Sequence, residues 1–439
     1  MGIISLVLCT GMGLFSLAFQ RKKVISPFVF FYFFWDFILL LSILNLYEIY
    51  LPSDKAYFYI DLMLISFFVG MILRTSLGKK IVLRKCELKH TSTYALNKIN
   101  FKIFYLLAFL SFFFLIKDGF QVLKFYKSGI PLWQIRNWSL APIGTNNPIM
   151  VSRSFMEEII RTVILEPFGN IMTPMTCYYF MVKRNDKNSR FIFLITIMQL
   201  TLSSAVGGGG RLGFLCFCMA FYFAFQLVSN HHMVTRKLIK KYRKYIVFSV
   251  LICFIAVVAN TALRTGAGNF IKQLYTYFAL PPTLLSIWLK KLGTPQHTYG
   301  LLTFFGVHSY IFRAFEVVGL GALVPQTYQV AYQAVLNAEL FLDTGFGIGN
   351  AFVTPVYYFY IDGGPLAVCL FSFFFGIIVS SFYNRYSSHK VIDCRLFSLY
   401  YLVMEGIFYT FMRIQTCIPV YIISFVFCYL LTEKDYEKW

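Results

Sequence analysis

Five arginines, Arg136, Arg153, Arg211, Arg264 and Arg313, stand in connections between long apolar runs, together with the acids Glu316, Asp343 and Asp362 and with His308. Guanidinium groups stay charged and grip phosphate oxygens two at a time, so arginines gathered at a membrane surface suit a lipid-linked diphosphate. His308, Glu316, Asp343 and Asp362 are side chains able to accept a proton. In the run HTYGLLTFFGVHSYIFRAFEVVGLGAL, His308 and Glu316 are eight apart, while Arg313 and Glu316 are three apart and can pair on one helix face. The segment SSAVGGGGRLGF sets four consecutive glycines before Arg211. Glycine allows positive φ and close backbone approach, and the next run offers a helix N-terminus, which together make a phosphate cradle. The GK[ST] ending of a Walker motif is missing, and the plain alternative is a tight hairpin whose arginine snorkels to the interface. Tyr328, Tyr332, Tyr357, Tyr358 and Tyr360 supply flat faces and hydroxyls appropriate to sugars, or else an interfacial aromatic belt. These connections carry no paired acidic metal motif, so neither a metal nor another cofactor is expected.

The elements that position these residues follow from composition. Apolar and aromatic residues make up 58% of the 439, charged residues 13%, and the mean hydropathy is +0.66. That combination excludes a soluble core and predicts an all-α polytopic membrane protein. Eleven apolar runs are legible, at roughly 2–19, 27–47, 56–73, 101–116, 162–182, 191–206, 212–229, 246–260, 365–383, 396–411 and 417–431. Alternate connections differ in charge: one set, with the C-terminal tail, holds 25 Lys and Arg, whereas the other holds 14 over about twice the length. The positive-inside rule then predicts the N-terminus outside and the C-terminus in the cytoplasm. The net charge of +21 is thereby absorbed by membrane orientation, and no nucleic-acid partner is expected. Two connections on the outer side are long, 117–161 and 261–364, and both contain amphipathic pieces expected to lie on the surface or re-enter it. No linker or repeat divides the chain, so 1–439 reads as a single membrane domain. Met1 to Gln20 lacks a basic leader and is followed by Arg21 to Lys23, which predicts a retained outward-starting helix. Nine of the ten cysteines fall in apolar runs or cytoplasmic connections, implying no disulfide framework. Asp36 and Asp61 lie within runs; Asp61, near the outer end of its run, reads as an interfacial carboxylate, whereas the deeper Asp36 either packs through a hydrogen bond or serves a function.

The stretch Leu342 to Tyr386 divides into two chemically different halves. Up to Gly364 it mixes glycine, Asp343, Asn350, Thr354, three tyrosines and Asp362, too polar to face lipid; from Pro365 to Tyr383 it has no charge. About 19 such residues at ~1.5 Å rise cover the ~30 Å of bilayer hydrocarbon. Irregular backbone beside a membrane helix is tolerated only under cover of protein or water, which marks the first half as a candidate site. Asp362 before Gly363-Gly364 is also an ordinary turn former.

NAFVTPVYYFYIDGGPLAVCLFSFFFGIIVSSFYNRY, residues 350–386, resembles the signature region of the bacterial oligosaccharide repeat-unit polymerases, the Wzy-type polymerases of O-antigen and capsule assembly. Asn350, Thr354, Tyr360, Asp362, Gly364 and Gly376 match, and Gly363 replaces the usual aromatic residue. The turn carrying Arg211 is similar to that family's small-residue turn with its arginine. The resemblance implies a membrane glycosyltransferase of the bacterial cytoplasmic (inner) membrane with its site on the outer face. Its partners would be undecaprenyl-diphosphate-linked oligosaccharides, as donor and as acceptor, the membrane lipids and a chain-length regulator protein. In that reaction Arg211 and Arg264, backed by Arg136, Arg153 and Arg313, stabilise the departing diphosphate. One of His308, Glu316, Asp343 and Asp362 accepts the acceptor hydroxyl's proton, and Asn350, Thr354, Tyr357 and Tyr360 face the glycan. Two alternatives stay open: a ligase-like transferase handing finished glycan to another acceptor, and a transporter of lipid-linked glycan. A transporter needs a cationic path through its spans, and basic residues there are nearly absent.

Overall fold

The computed structural model describes residues 1–19, 26–86, 96–131, 134–135, 138, 155–183, 186–206, 212–230, 270–345, 347–349, 352–388 and 392–435. These residues are helical apart from connections and two small antiparallel two-stranded sheets, Leu96–Ile99 with Thr432–Asp435 and Leu342–Asp343 with Ile348–Gly349. Two units form. The first comprises Met1–Thr93, Lys272–Val391 and Leu402–Ile422, the second Tyr94–Ile271, Ile392–Tyr401 and Ile423–Trp439. Each is assembled from separated stretches, so no one linker parts them.

Among the described residues, six helices are long and apolar enough to cross a membrane. They are Gly2–Phe19, Pro27–Leu44, Asp54–Ser76, Phe101–Lys127, Lys187–Val206 and Thr354–Ser387, while the apolar helices Leu212–Leu227 and Pro419–Leu430 are shorter. The expected run at 246–260 lies outside the described residues. The run at 162–182 becomes a π turn, Arg161–Leu165, followed by the helix Glu166–Val182 with Pro174 inside it. The described residues of the connection 261–364 include the α-helices Phe270–Leu292, Phe305–Val317 and Gln326–Ala338 and the start of Thr354–Ser388.

In the first unit the sequence fixes helix starts locally. Pro27 occupies the first helical position, where its missing N–H costs nothing, and Ser26 caps the helix by accepting from Phe28 N at 3.2 Å. Asp54–Cys86 and Thr354–Ser388 then cross at very close range. A Cβ on Gly70 would fall onto the Phe373 carbonyl oxygen, and one on Gly376 onto that of Phe67. Lipid supplies no hydrophobic force between helices, so such small residues let backbones meet and dispersion hold them. Polar pairs extend the seam: Thr75 and Ser380 hydroxyls are 3.0 Å apart, and Arg74 Nε donates to Ser381 at 2.9 Å. The intramembrane acids have packing partners on the Gly2–Phe19 helix. Thr10 donates to Asp36 at 2.6 Å and Ser5 to Asp61 at 2.9 Å. Helix packing therefore accounts for Asp36, while Asp61, expected at the interface, is buried against Ser5. Trp35, wholly buried, gives its indole N–H to Thr410 at 3.0 Å.

The second unit is organised around a buried charge network. Arg161 grips Asp118 with two nitrogens at 2.6 and 2.8 Å, and Glu157 with Nε at 3.1 Å and an amino group at 2.6 Å. Lys117 Nζ adds a contact to Glu157 at 2.5 Å. Two cations thus balance two carboxylates, the condition under which buried charge is tolerated.

Candidate functional site

The candidate site grows from the break in the Thr354–Ser388 helix, within the first unit. Helical backbone stops after Asp362: Gly363 is extended (φ −178°, ψ 31°), and Gly364 is left-handed (φ 62°, ψ −147°). A Cβ at 364 would also approach Pro295 Cγ to 2.9 Å, so this position needs glycine for both reasons. Pro365 then restarts the helix where no N–H is required. The first half, expected to be shielded from lipid, is buried from Val356 through Asp362.

Asp362 is a fastener. Its carboxylate, 2% exposed, accepts Gly300 N at 2.9 Å, Leu302 N at 3.1 Å and Thr303 N at 2.9 Å, together with the hydroxyls of Thr298 and Thr303. Its own carbonyl accepts Tyr299 N at 3.1 Å. The turn so held contains three left-handed residues, His297 (φ 54°), Tyr299 (φ 53°) and Gly300 (φ 91°). Non-glycine residues keep such conformations only when the surroundings over-determine them. With five donors on it, Asp362 has no oxygen free to take a substrate proton. The expectation of a base at 362 gives way to a positioning role.

The fastened turn leads into the Phe305–Val317 helix, which bears His308. His308 Nε2 lies 2.7 Å from the Leu301 carbonyl. A carbonyl only accepts, so Nε2 carries the proton and Nδ1 carries the lone pair. Nδ1 is buried and has no hydrogen-bond partner. Phe305, Phe312 and Tyr328 surround the ring at 5.8, 5.3 and 5.8 Å. Burial lowers the imidazole's pKa below its ordinary value, opposed in part by the Leu301 carbonyl and the Asp362 charge. The ring is thus neutral near pH 7, with one buried basic nitrogen that no protein group engages. Burial pushes the neighbouring Tyr328 hydroxyl up to about 12.

The remaining predicted residues are dispersed. Glu316 is exposed and accepts Gln329 Nε2 at 2.9 Å, in place of the expected pairing with Arg313, which is exposed on the same helix. Asp343, also exposed, accepts the Tyr50 hydroxyl at 3.0 Å and Gly345 N at 3.1 Å; that carboxylate raises the Tyr50 pKa through the hydrogen bond. Two expected glycan contacts are otherwise engaged. Tyr357 and Tyr360 are buried and donate to the Ala334 and Gly293 carbonyls at 3.0 and 2.9 Å. They brace the broken helix and offer no face to a sugar. Thr354 is buried at the helix start. Arg136, Arg153, Arg211, Arg264 and Asn350 lie outside the described residues.

Sequence reasoning missed Thr298 and Thr303, which lie 64 and 59 residues from the carboxylate they serve. It also missed the buried pairing of Arg161 with Asp118 and Glu157. For Arg161 a signal was present, Glu157 four residues earlier. Comparison of the chain with protein-family models, with curated proteins and with solved structures finds no match.

Proposed function

We propose that this chain is an oligosaccharide repeat-unit polymerase working at the outer face of a bacterial cytoplasmic membrane. Four things support the reading: the apolar helices, the resemblance of residues 350–386, the broken helix beneath a polar turn, and above all the geometry of His308. That last observation carries it. A neutral imidazole with a tied Nε2 and an unengaged Nδ1 stands on a helix whose lead-in Asp362 holds rigid. In the proposed reaction the acceptor's hydroxyl oxygen attacks the anomeric carbon of the donor glycan, and the bond from that carbon to the diphosphate oxygen breaks. The hydroxyl proton passes to His308 Nδ1. Undecaprenyl diphosphate departs, its charge met by guanidinium groups, for which Arg211 and Arg264 stay first choices and Arg136, Arg153 and Arg313 second. Chemistry requires neither nucleotide nor metal, because the activated bond is already in the donor.

The topology proposed with it is eleven crossings, an outer N-terminus, a cytoplasmic C-terminus and outer connections at 117–161 and 261–364. The test is to mix purified full-length protein with lipid-linked repeat units, free of nucleotide and metal, and resolve the glycans. A ladder of multiples is expected, lost in His308→Ala. Wild-type ladders from that variant would remove the base assignment. A strain lacking the protein should accumulate single repeat units on carrier lipid; full-length glycan there would replace this reading with the ligase.

A further inference from the structure

A second cluster of the first unit plays no part in the proton transfer above. Thr354 has φ +61°, a conformation that β-branched residues seldom adopt, and its wholly buried hydroxyl has no hydrogen-bond partner. Val353 N and Thr354 N both donate to the Met412 carbonyl, at 3.0 and 3.1 Å, which ties the helix start to the residue before Arg413. Arg413 pairs through one amino nitrogen with Glu339 at 3.3 Å, while its Nε is buried and has no hydrogen-bond partner. Tyr358, one turn into the helix, lies within the electrostatic reach of both Arg413 and Glu339.

Packing alone does not explain these features. An arginine built for stability holds its carboxylate with two parallel N–H groups; this one uses a single long contact and keeps another donor in reserve. Glu339 caps the C-terminus of the Gln326–Ala338 helix, where the carbonyl ends repel a carboxylate. Thr354 stores backbone strain and buries an unused hydroxyl at the positive end of another helix, an end that favours anions. The Arg413–Glu339 pair is therefore poised to part in favour of a better anion.

We infer that Arg413 and Thr354 form a phosphate-binding site at the start of the broken helix, in which Glu339 occupies the anion's place until ligand arrives. Phosphate oxygens would accept the Nε and amino N–H groups of Arg413 side by side and the Thr354 hydroxyl. The site rests on this geometry; its assignment to a lipid carrier's diphosphate rests on the polymerase reading.

The experiment titrates purified full-length protein with inorganic pyrophosphate and, separately, with a short polyprenyl diphosphate. Both should bind, the polyprenyl compound more tightly if the carrier is the ligand; equal affinity would overturn the carrier assignment. Loss of charge-assisted hydrogen bonds in Arg413→Gln should weaken binding roughly 10- to 100-fold. Glu339→Gln, by removing the competitor, should strengthen it several-fold. Thr354→Val keeps the side chain's shape, so it should melt at or above wild type while binding more weakly. If Arg413→Gln binds as wild type does, or Glu339→Gln weakens binding as much as Arg413→Gln, the site is refuted and the pair is structural. The glycan ladder separates the two readings. Arg413-dependent binding without any ladder from wild type keeps the site and removes the polymerase, whereas a full ladder from Arg413→Gln removes the site from that reaction.

Discussion

Replacing Asp362 by Asn separates a fastener from a base, because the two roles predict opposite results on stability. The amide can keep one oxygen, and the cheaper choice points it at Gly300 N, Leu302 N and the Thr298 hydroxyl. Its NH2 then faces Thr303, whose hydroxyl can rotate to accept but whose backbone N–H is left opposite a donor. Stranding that N–H costs about 1–3 kcal/mol, and the three retained bonds each lose about 1 kcal/mol of charge assistance. The total, about 4–6 kcal/mol, is comparable with the whole stability of many folded domains. Thermal unfolding of purified Asp362→Asn should show a large loss of stability, and limited proteolysis should open the chain between Pro295 and Thr303. Asp362→Glu should fail as well, since the buried nest has no room for another methylene. A variant that melts and resists protease like wild type, yet forms no glycan, would refute the reasoning and restore Asp362 as the proton acceptor.

Other outcomes follow from the same geometry. Because burial holds the folded His308 pKa below the ordinary 6.5, the proposed glycan-ladder formation should persist as pH falls through 6.5 and fade only below it; an acid limb at or above 6.5 would contradict the assignment. For stability the sign is the same: the unfolded chain binds the proton first, so His308's contribution is full above 6.5 and lost as pH falls toward the folded value. Arg161→Ala strands Asp118 and Glu157 and should cost about 3–5 kcal/mol in a thermal or denaturant melt. Burial opposes ionisation of Glu157, but hydrogen bonds from Lys117 and Arg161 outweigh it and lower its pKa below 4.5. Its contribution to stability is accordingly present above 4.5 and lost as pH falls through the folded value; a melt flat across that window would count against it. Gly376→Ala drives a Cβ into the Phe67 carbonyl and must separate two helices, costing about 1–3 kcal/mol or more; an unchanged melting temperature would contradict that crossing.

What the sequence made legible was chemistry confined to a few neighbouring residues. The polar half before Gly364 could be read as shielded because glycine, Asp362 and Pro365 sit together, and it is buried. Partners at long range could not be read. Nothing near Asp362 names Thr298 or Thr303, and a tyrosine's letter does not say whether its hydroxyl meets a sugar or, as for Tyr357 and Tyr360, a backbone carbonyl. The Phe270–Leu292 helix was hidden by Pro281 and Pro282, which ordinarily argue against a helix interior. Asp36 left packing and function both open until Thr10 appeared opposite it, and Asp61, read as interfacial, is buried against Ser5.

Backbone irregularity sharpens where function should be sought. His297, Tyr299, Thr354 and Gly364 all take left-handed conformations in the first unit, and each non-glycine case costs on the order of 1–3 kcal/mol. At His297 and Tyr299 the compensation is visible: Asp362 gathers the turn with five hydrogen bonds. At Gly364 the missing side chain removes the cost. Thr354 has only its backbone bond to Met412, and its hydroxyl is buried without a partner. Glycine there would relieve the strain and valine would remove the stranded hydroxyl, so neither packing nor backbone geometry favours threonine. A ligand that accepts from the hydroxyl would, which makes Thr354, rather than the better-satisfied Asp362, the residue of this stretch whose identity most needs a bound partner to explain it.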